Sequence, residues 1–338
     1  MLCKFGRQRR LRRWRGLVAF ALIAWAADGA FAAESGVGVY PLGLRGPLAG
    51  ITPPPGLYFQ NDLYYYQGSA GASRPLPLGS QLVADVNAKM WVDIPTFLWS
   101  TPLQIAGGNL AVSASFPAGG PSVDAGLALT SALISSEVAR SQHSAVATIG
   151  DPFIVTSVGW HAGNWHWTGG VGINVPAGDY RENSLANIAF HRWAADFFGA
   201  MTWLDPKTGI DLSAALGFTF NGRNPSTDYK TGTEFHLEWA VTQNLPKGFS
   251  FGLVGYYYEQ VTGDSGSGAK LGDFKGRVVA LGGSLGYMFK VDGRDVSTRL
   301  KVYREFDVQN RLEGTAAYLT VALPLYAYPP PPGAPRRN

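Results

Sequence analysis

The tetrapeptide Gly-Asp-Ser-Gly at 263–266 is the pattern that surrounds the nucleophile of trypsin-like serine proteases. A nucleophilic Ser265 needs a histidine as its base, and none of the five histidines has the Ala-Ala-His-Cys context of those proteases. The only cysteine is Cys3, so the rest of the chain offers neither a disulfide nor a thiolate. The longer stretch 261–273 around it contains four glycines, Gly263, Gly266, Gly268 and Gly272. We therefore interpret it as a glycine-rich loop.

Glu234, His236 and Glu238 are a second candidate group, because alternate residues of a strand share one face. Two acids and one histidine at this spacing are only a weak signal for a metal site. The glycines of the stretch 166–174 lack the G-x-G-x-x-G order of dinucleotide-binding loops. The sequence thus assigns no catalytic residue, no cofactor and no metal ligand.

The N-terminus has the three parts of a secretory signal. Residues 1–15 contain seven Lys and Arg and no acid, residues 16–27 are apolar, and Ala30 and Ala32 form an A-x-A site. We expect cleavage after Ala32, so that 1–32 is a signal peptide. The alternative is a membrane anchor, which usually needs about 20 apolar residues.

Cleavage changes the charge balance of the chain. The whole sequence has 28 basic and 24 acidic residues, and loss of seven basic residues and one acid leaves 21 and 23. The high isoelectric point therefore does not indicate a nucleic-acid partner.

From about residue 57 the dominant hydrophobic period is two, which predicts an all-β fold. In the stretch 212–220, for example, Leu212, Leu216 and Phe218 share one face. The predicted strands are 57–66, 80–94, 104–116, 151–160, 164–176, 194–204, 209–220, 233–244, 249–261, 275–290, 295–306 and 315–326. Their number is even, as in bacterial single-chain outer-membrane barrels.

Two features favour a membrane barrel over a soluble periplasmic β-protein. Apolar faces carry aromatic rings near strand ends, as at Trp165, Trp203 and Tyr287. Short connections also alternate with long polar ones, the long ones lying near 177–193, 221–232, 262–274 and 307–314. We predict an antiparallel transmembrane β-barrel of about 12 strands in the outer membrane of a Gram-negative bacterium, with short periplasmic turns and longer external loops.

The barrel is expected to span 57–326. Residues 33–56 are rich in Gly and Pro and either hang in the periplasm or fold into the lumen as a plug. Residues 327–338 form a proline-rich tail that cannot continue a sheet. The stretch 118–150 is either a long external loop with a short helix or two further strands.

Charged and other polar residues that alternate with apolar ones are expected to face the lumen, since a Lys or Arg in mid-bilayer costs about 2–4 kcal/mol. The candidates are Asp85, Asn87, Lys89, His166, Asn174, Asp196, Glu234, His236, Glu238, Arg299, Lys301, Tyr303 and Glu305. They either select solutes or form an ion-pair and hydrogen-bond network that fills the barrel and makes it rigid.

Five stretches in order resemble a known family. They are PPPGLYFQNDLYYYQG, GDPFIVTSVGWHAGNWHWTGGVGINVPAGDY, DYKTGTEFHLEWAV, GYYYEQVTGDSGSGAKLGDFKGRV and YREFDVQNRLEGTAAYLTVALPL. The chain resembles the bacterial outer-membrane transporter-like family named for the meta-pathway of phenol degradation. The resemblance implies an outer-membrane β-barrel with a role in uptake of aromatic or hydrophobic compounds. The residues after the last strand depart from the many outer-membrane barrels that end on an aromatic.

Together these patterns predict a porin-like channel, not an enzyme, for passive uptake of small hydrophobic or aromatic compounds. The expected partners are outer-membrane lipid, the solute and the barrel assembly machinery, and no nucleic acid. A closed structural or surface-binding barrel and an outer-membrane lipid hydrolase are the alternatives.

Overall fold

The computed structural model describes residues 37–71, 76–78, 81–128, 142–182, 184–269, 272–273 and 275–328. The signal peptide, the start of the segment 33–56 and nearly all of the proline-rich tail lie outside these ranges. The strands in chain order are β1 (Gly56–Ala70), β2 (Leu76–Leu78), β3 (Gln81–Ile105), β4 (Gly108–Ser115), β5 (Ala118–Ala128), β6 (Gln142–Ala145), β7 (Thr148–Ile149), β8 (Phe153–Ala162), β9 (Trp165–Asn174), β10 (Ala194–Leu204), β11 (Ile210–Asn221), β12 (Arg223–Asn224), β13 (Tyr229–Lys230), β14 (Glu234–Asn244), β15 (Phe249–Gln260), β16 (Arg277–Val291), β17 (Arg294–Gln309) and β18 (Glu313–Ala327). None of the described residues forms a helix long and apolar enough to cross a membrane.

Twelve of these strands close into an antiparallel barrel, as the sequence predicts. The hydrogen-bonded order is β1-β18-β17-β16-β15-β14-β11-β10-β9-β8-β4-β3, and β3 pairs back onto β1. Within the described residues, each of the twelve ring strands therefore has a neighbour on both sides.

The stretch 118–150 extends one part of the wall beyond the ring. The 25-residue strand β3 pairs with β4 through Thr96–Ile105 and with β5 through Val83–Asp93. Strands β6 and β7 then pair with β5. The described part of 118–150 therefore contains strands that do not add to the ring, and 129–141 lie outside the described residues.

Two predicted boundaries are wrong. The strand predicted to end at residue 94 continues to Ile105 through two prolines, because each lies where the ladder is already interrupted. Pro95 lies opposite the break between β4 and β5, and Pro102 lies in the register shift between Ser100 and Gln104. The polar stretch 307–314 is not a long loop, since only residues 310–312 separate β17 from β18.

Connections at one end of the barrel are short, and we call it the turn end. Asp292 and Gly293 both have positive φ, as the two-residue hairpin turn between β16 and β17 requires. The opposite end, the loop end, carries the loops 175–193, 222–233 and 261–276. This arrangement is typical of outer-membrane barrels.

The outer face is apolar and exposed. Along β11, Leu212, Ala214, Leu216, Phe218 and Phe220 are exposed, whereas the residues that alternate with them are buried. The same alternation leaves large apolar side chains outside on the other barrel strands. Such a belt suits the hydrocarbon core of a membrane.

Candidate functional site

Most charged residues assigned to the lumen from the sequence lie on the inner face of the barrel. The buried ones are Asn174, Asp196, Glu234, His236, Glu238, Lys301, Tyr303 and Glu305. His166 and Arg299 are half-buried and share the inner face of their strands.

Asp85, Asn87 and Lys89 correct the sequence-based expectation, because they lie on the outer face of β3. All three are exposed, whereas Val86 between them is fully buried. Lys89 pairs in register with Gln67 of β1, near the loop end of that strand.

The inversion has a physical reason, because this part of β3 lies beyond the apolar belt. Outward-facing Tyr65 and Trp91 make ring contact there, with centroids 4.4 Å apart. On the turn-end side of this aromatic pair, Leu63 and Phe97 are exposed on the outer face, together with a polar contact in which Asn61 donates to Asp93 at 2.6 Å. Beyond the aromatic pair the sheet faces water, so the apolar residues turn inward and the polar ones outward, as in a soluble sheet.

A described segment before the first strand, residues 37–55, lies inside the barrel, and we call it the lumen segment. Its Gly43 is held from both sides: the backbone N–H donates to Glu238 (2.6 Å), and the carbonyl accepts from Lys301 (2.6 Å) and Tyr303 (3.1 Å). Lys301 also donates to the carbonyl of Leu44 at 2.5 Å. Gly43 has a φ of +85°, and a Cβ there would lie 2.8 Å from the Tyr303 ring. Glycine is therefore required at this point.

Further along, the lumen segment is held by β10 and β11. The backbone N–H of Leu48 donates to Asp211 (3.1 Å), and that of Gly50 donates to Thr202 (2.9 Å). Near its end the carbonyl of Pro53 accepts from Ser100 of β3 (2.8 Å). The segment has no regular secondary structure, so the wall supplies the partners that its backbone would otherwise lack.

His236 links the wall to the lumen segment by a ring stack. Its Nε2 is 2.8 Å from Asp196, and its ring lies on that of Tyr40 with centroids 3.9 Å apart and an interplanar angle of 8°. Asp196 also accepts from Thr219 at 2.8 Å. His236 thus fixes the position of the segment. Its neighbours in the sequence bind other groups, since Glu238 accepts from the N–H of Gly43 and Glu234 from the hydroxyl of Tyr258.

Glu234 and Glu305 bind other groups of the inner wall. Glu234 accepts from Tyr258 at 2.6 Å. Glu305 accepts from the hydroxyls of Tyr66 and Tyr256, each at 2.8 Å. Among the described residues no cluster of three or more His, Cys, Asp or Glu could hold a metal ion.

The lumen segment leaves a gap on the other side of the barrel, which we call the lower cavity. It has a volume of about 490 Å³ and extends from Asn174 near the loop end to Tyr58 near the turn end. The wall of β3, β4 and β8 lines it with Ile94, Leu98, Ala111, Ser113, Phe153 and Val155. These three strands also contribute Thr96, Ser115 and Ser157 but no charged group, whereas Arg45, Asp62 and Asp151 line the gap from elsewhere.

A second cavity, the upper cavity, lies at the loop end under the loop 175–193. It has a volume of about 150 Å³ and is lined by Tyr64, Met90, Val92, Ile188, Phe190 and Arg311, among others. Val39, Ile94 and Pro117 line both cavities, so the two adjoin each other. Together they outline a route past the lumen segment.

The Gly-Asp-Ser-Gly stretch lies at the loop end, where its residues form hydrogen bonds to a neighbouring loop. Asp264 is buried and accepts from Gly232 N–H (2.9 Å), from Gln260 (2.6 Å) and from the hydroxyl of Tyr229. Burial raises the pKa of Asp264 to about 6, although these hydrogen bonds act in the opposite direction. Ser265 pairs through its backbone with Lys230, at 2.8 and 2.9 Å. The stretch therefore joins the loops 222–233 and 261–276.

Some lumen residues were missed in the sequence analysis. Asp62 of β1 and Asp211 of β11 are buried on the inner face, and the alternation that identifies their neighbours also identifies them. Arg45 lies in the lumen segment, 3.5 Å from the centre of the Phe198 ring. That segment has no period, so no signal in the sequence points to Arg45.

The comparison with protein families decides the identity of the barrel. A family model described as "Putative MetA-pathway of phenol degradation" matches residues 72–321. The chain belongs to this family. A search of curated proteins finds no match.

Solved structures resemble this family member in fold. An outer membrane channel from Pseudomonas putida F1 is 14% identical, with a TM-score of 0.62 over 82% of this chain and 98% of the channel. A FadL homologue from Pseudomonas aeruginosa is 10% identical, with a TM-score of 0.40 over 87% of this chain and 98% of the homologue. The first similarity supports the barrel fold.

Proposed function

We propose that the protein is an outer-membrane channel through which small hydrophobic or aromatic compounds diffuse passively into the periplasm. The observation that supports this proposal best is that the lumen has two unlike halves. The charged half, on β10, β11, β14 and β17, binds the lumen segment. The half on β3, β4 and β8 borders the gap with uncharged side chains, which are apolar residues together with Ser and Thr.

Physical chemistry favours apolar solutes on this route. Many charged groups of the inner wall already bind each other or the lumen segment, so fewer of them remain for a solute. A sugar in the gap would leave polar groups unpaired, at about 1–3 kcal/mol each. An aromatic ring would gain about 25 cal/mol for each Å² removed from water.

The route is tested by filling the gap with a bulky side chain. Ser113 faces the gap from β4, and Val112 beside it lies on the outer, lipid-facing side. Ser113→Trp should reduce the flux of a small aromatic solute into proteoliposomes at least several-fold, and Val112→Trp is the matched control. Protein-free vesicles measure the leak through lipid. If folded Ser113→Trp carries wild-type flux, the proposed route is wrong.

A closed structural barrel is the second candidate, favoured by the many hydrogen bonds that hold the lumen segment. It predicts that wild-type protein carries neither an aromatic solute nor a sugar. No enzymatic activity is proposed.

A further inference from the structure

The upper cavity has the chemistry of a ligand site and not only of a passage. It lies beneath the loop 175–193 at the loop end of the barrel, where Leu185 and Ala186 are buried in the apolar core. Its walls include the rings of Tyr64 and Tyr256 and the side chain of Val92. A solute that enters from the loop end would meet these groups before it reaches the lower cavity.

The size of the upper cavity limits its occupant. An apolar cavity of about 150 Å³ in another protein stays dry and binds benzene. The upper cavity has the same volume and a mainly apolar and aromatic lining. It therefore fits one six-membered ring with a small substituent.

Arg311 contributes a charged polar group to this lining. Its side chain is 7% exposed and lies over the ring of Tyr258, 4.1 Å from the ring centre. Within the described ranges of the chain, its Nη1 is buried and has no hydrogen-bond acceptor. A buried donor without an acceptor is costly, so an oxygen placed here by a ligand would be stabilised.

The carboxylate of Glu305 does not supply the acceptor that Nη1 of Arg311 lacks. Glu305 lines the same cavity, but it already accepts from Tyr66, from Tyr256 and from the backbone N–H of Gly314 (2.8 Å).

Nearby charge also decides against an anion. Glu305 and Glu234 both lie close enough to Arg311 to act on its charge. Arg192 lines the cavity too, so two cations and two acids offset one another, and Arg311 lacks a hydrogen-bond acceptor but not a counter-ion.

We propose that the upper cavity binds a neutral, single-ring aromatic compound through one oxygen that accepts a hydrogen bond from Arg311. The inference deepens the proposed channel function, and its relevance to uptake rests on that function. Binding itself does not depend on it.

Two isosteric probes test the proposal. Acetophenone carries an acceptor oxygen, and α-methylstyrene has a CH₂ group in its place. Calorimetry on the protein in lipid nanodiscs, with empty nanodiscs subtracted, measures both affinities. We expect acetophenone to bind about tenfold more tightly, because a hydrogen bond to a charged donor is lost with the other probe. Equal affinities would overturn the role of Arg311, and tighter binding of benzoate would overturn the neutral ligand.

Variants separate the hydrogen bond from the fold. Arg311→Met should weaken acetophenone binding about tenfold and leave α-methylstyrene binding unchanged. Arg304→Met is the control, since Arg304 is exposed on the outer face of β17. Val92→Phe narrows the cavity without removing Arg311 and should weaken both probes. Unchanged binding of both probes to folded Val92→Phe would place the site elsewhere, even if Arg311→Met does not fold.

Flux measurements keep the two proposals distinguishable. Selective binding of acetophenone without aromatic flux would leave the site standing and refute the channel. Aromatic flux without discrimination between the isosteres would support the channel and refute this site.

Discussion

Replacement of Lys301 by methionine should loosen the lumen segment and increase solute flux. Lys301 is 3% exposed, and its ammonium group donates to the carbonyls of Gly43 and Leu44 at 2.6 and 2.5 Å. Methionine keeps a long apolar side chain but removes the charge and both donors. It also removes a positive charge that acts on Glu238, the carboxylate that accepts from the N–H of the same Gly43.

The size of the effect follows from those two bonds. A hydrogen bond from a charged group contributes about 1.5–3 kcal/mol to stability. The two bonds share one ammonium group and are not additive, so a loss of ~3 kcal/mol is a reasonable total. That loss corresponds to a roughly 100-fold shift toward an undocked segment.

Single-channel conductance and hydrogen exchange of residues 37–55 measure the shift. Lys301→Met should show a larger or more frequent open state and faster exchange in the segment. Arg304→Met is the control from the same strand, because Arg304 lies outside and makes an exposed ion pair with Glu313 at 3.4 Å. Unchanged conductance and unchanged exchange in folded Lys301→Met protein would show that Lys301 does not hold the lumen segment in place.

Three further predictions concern the loops, the segment and the outer face. The pKa of Asp264 is raised to about 6 from an ordinary 3.8, so its contribution to stability is fully present below about pH 3.8 and is lost as pH rises through 6. The free energy of opening of the loop 261–276, measured by hydrogen exchange, should therefore fall by at most ~3 kcal/mol between pH 4 and 7. Asp264→Asn should remove this pH dependence. Gly50→Ala should lower the melting temperature and raise conductance, since a Cβ there would lie 2.6 Å from backbone atoms of His166 and Thr202. An unchanged melting temperature would mean that the segment shifts freely. Lys89→Glu should leave ion selectivity unchanged, because Lys89 lies outside, and a changed selectivity would place it in the lumen after all.

The sequence predicts strand faces well where the barrel crosses lipid. In β14, Phe235, Leu237 and Trp239 alternate with Glu234 and residues that are likewise buried on the inner face. The cost of a charge in hydrocarbon makes the inward direction the stable one. Alternation alone therefore identifies the inner residues of this strand.

The same rule fails in β3, where the strand leaves the membrane. Asp85 and Lys89 alternate with Val86 and Met90 just as charged and apolar residues do in β14. Water outside the barrel reverses the preference, so the apolar side chains fill the interior. Only the end of the apolar belt, near Trp91, distinguishes the two situations, and the sequence does not show where the membrane ends.

The position of the lumen segment could not be predicted for a different reason. Its contacts join residues far apart in the chain, such as Gly43 and Glu238, which are 195 positions apart. The segment has no period that would indicate a face. Its Gly and Pro content is compatible with a free periplasmic arm as well as with a plug, and only the closed barrel provides its hydrogen-bond partners.

The most direct test of the central claim is a paired flux measurement on wild-type protein in liposomes. A small neutral aromatic solute and a sugar of similar size are compared, with the leak of protein-free vesicles subtracted. An apolar route past the lumen segment predicts that the flux of the aromatic solute is well above that of the sugar. Equal flux of both would indicate a general aqueous pore, and absence of both from folded, heat-modifiable protein would indicate a closed barrel. Either result would contradict an apolar route past the lumen segment.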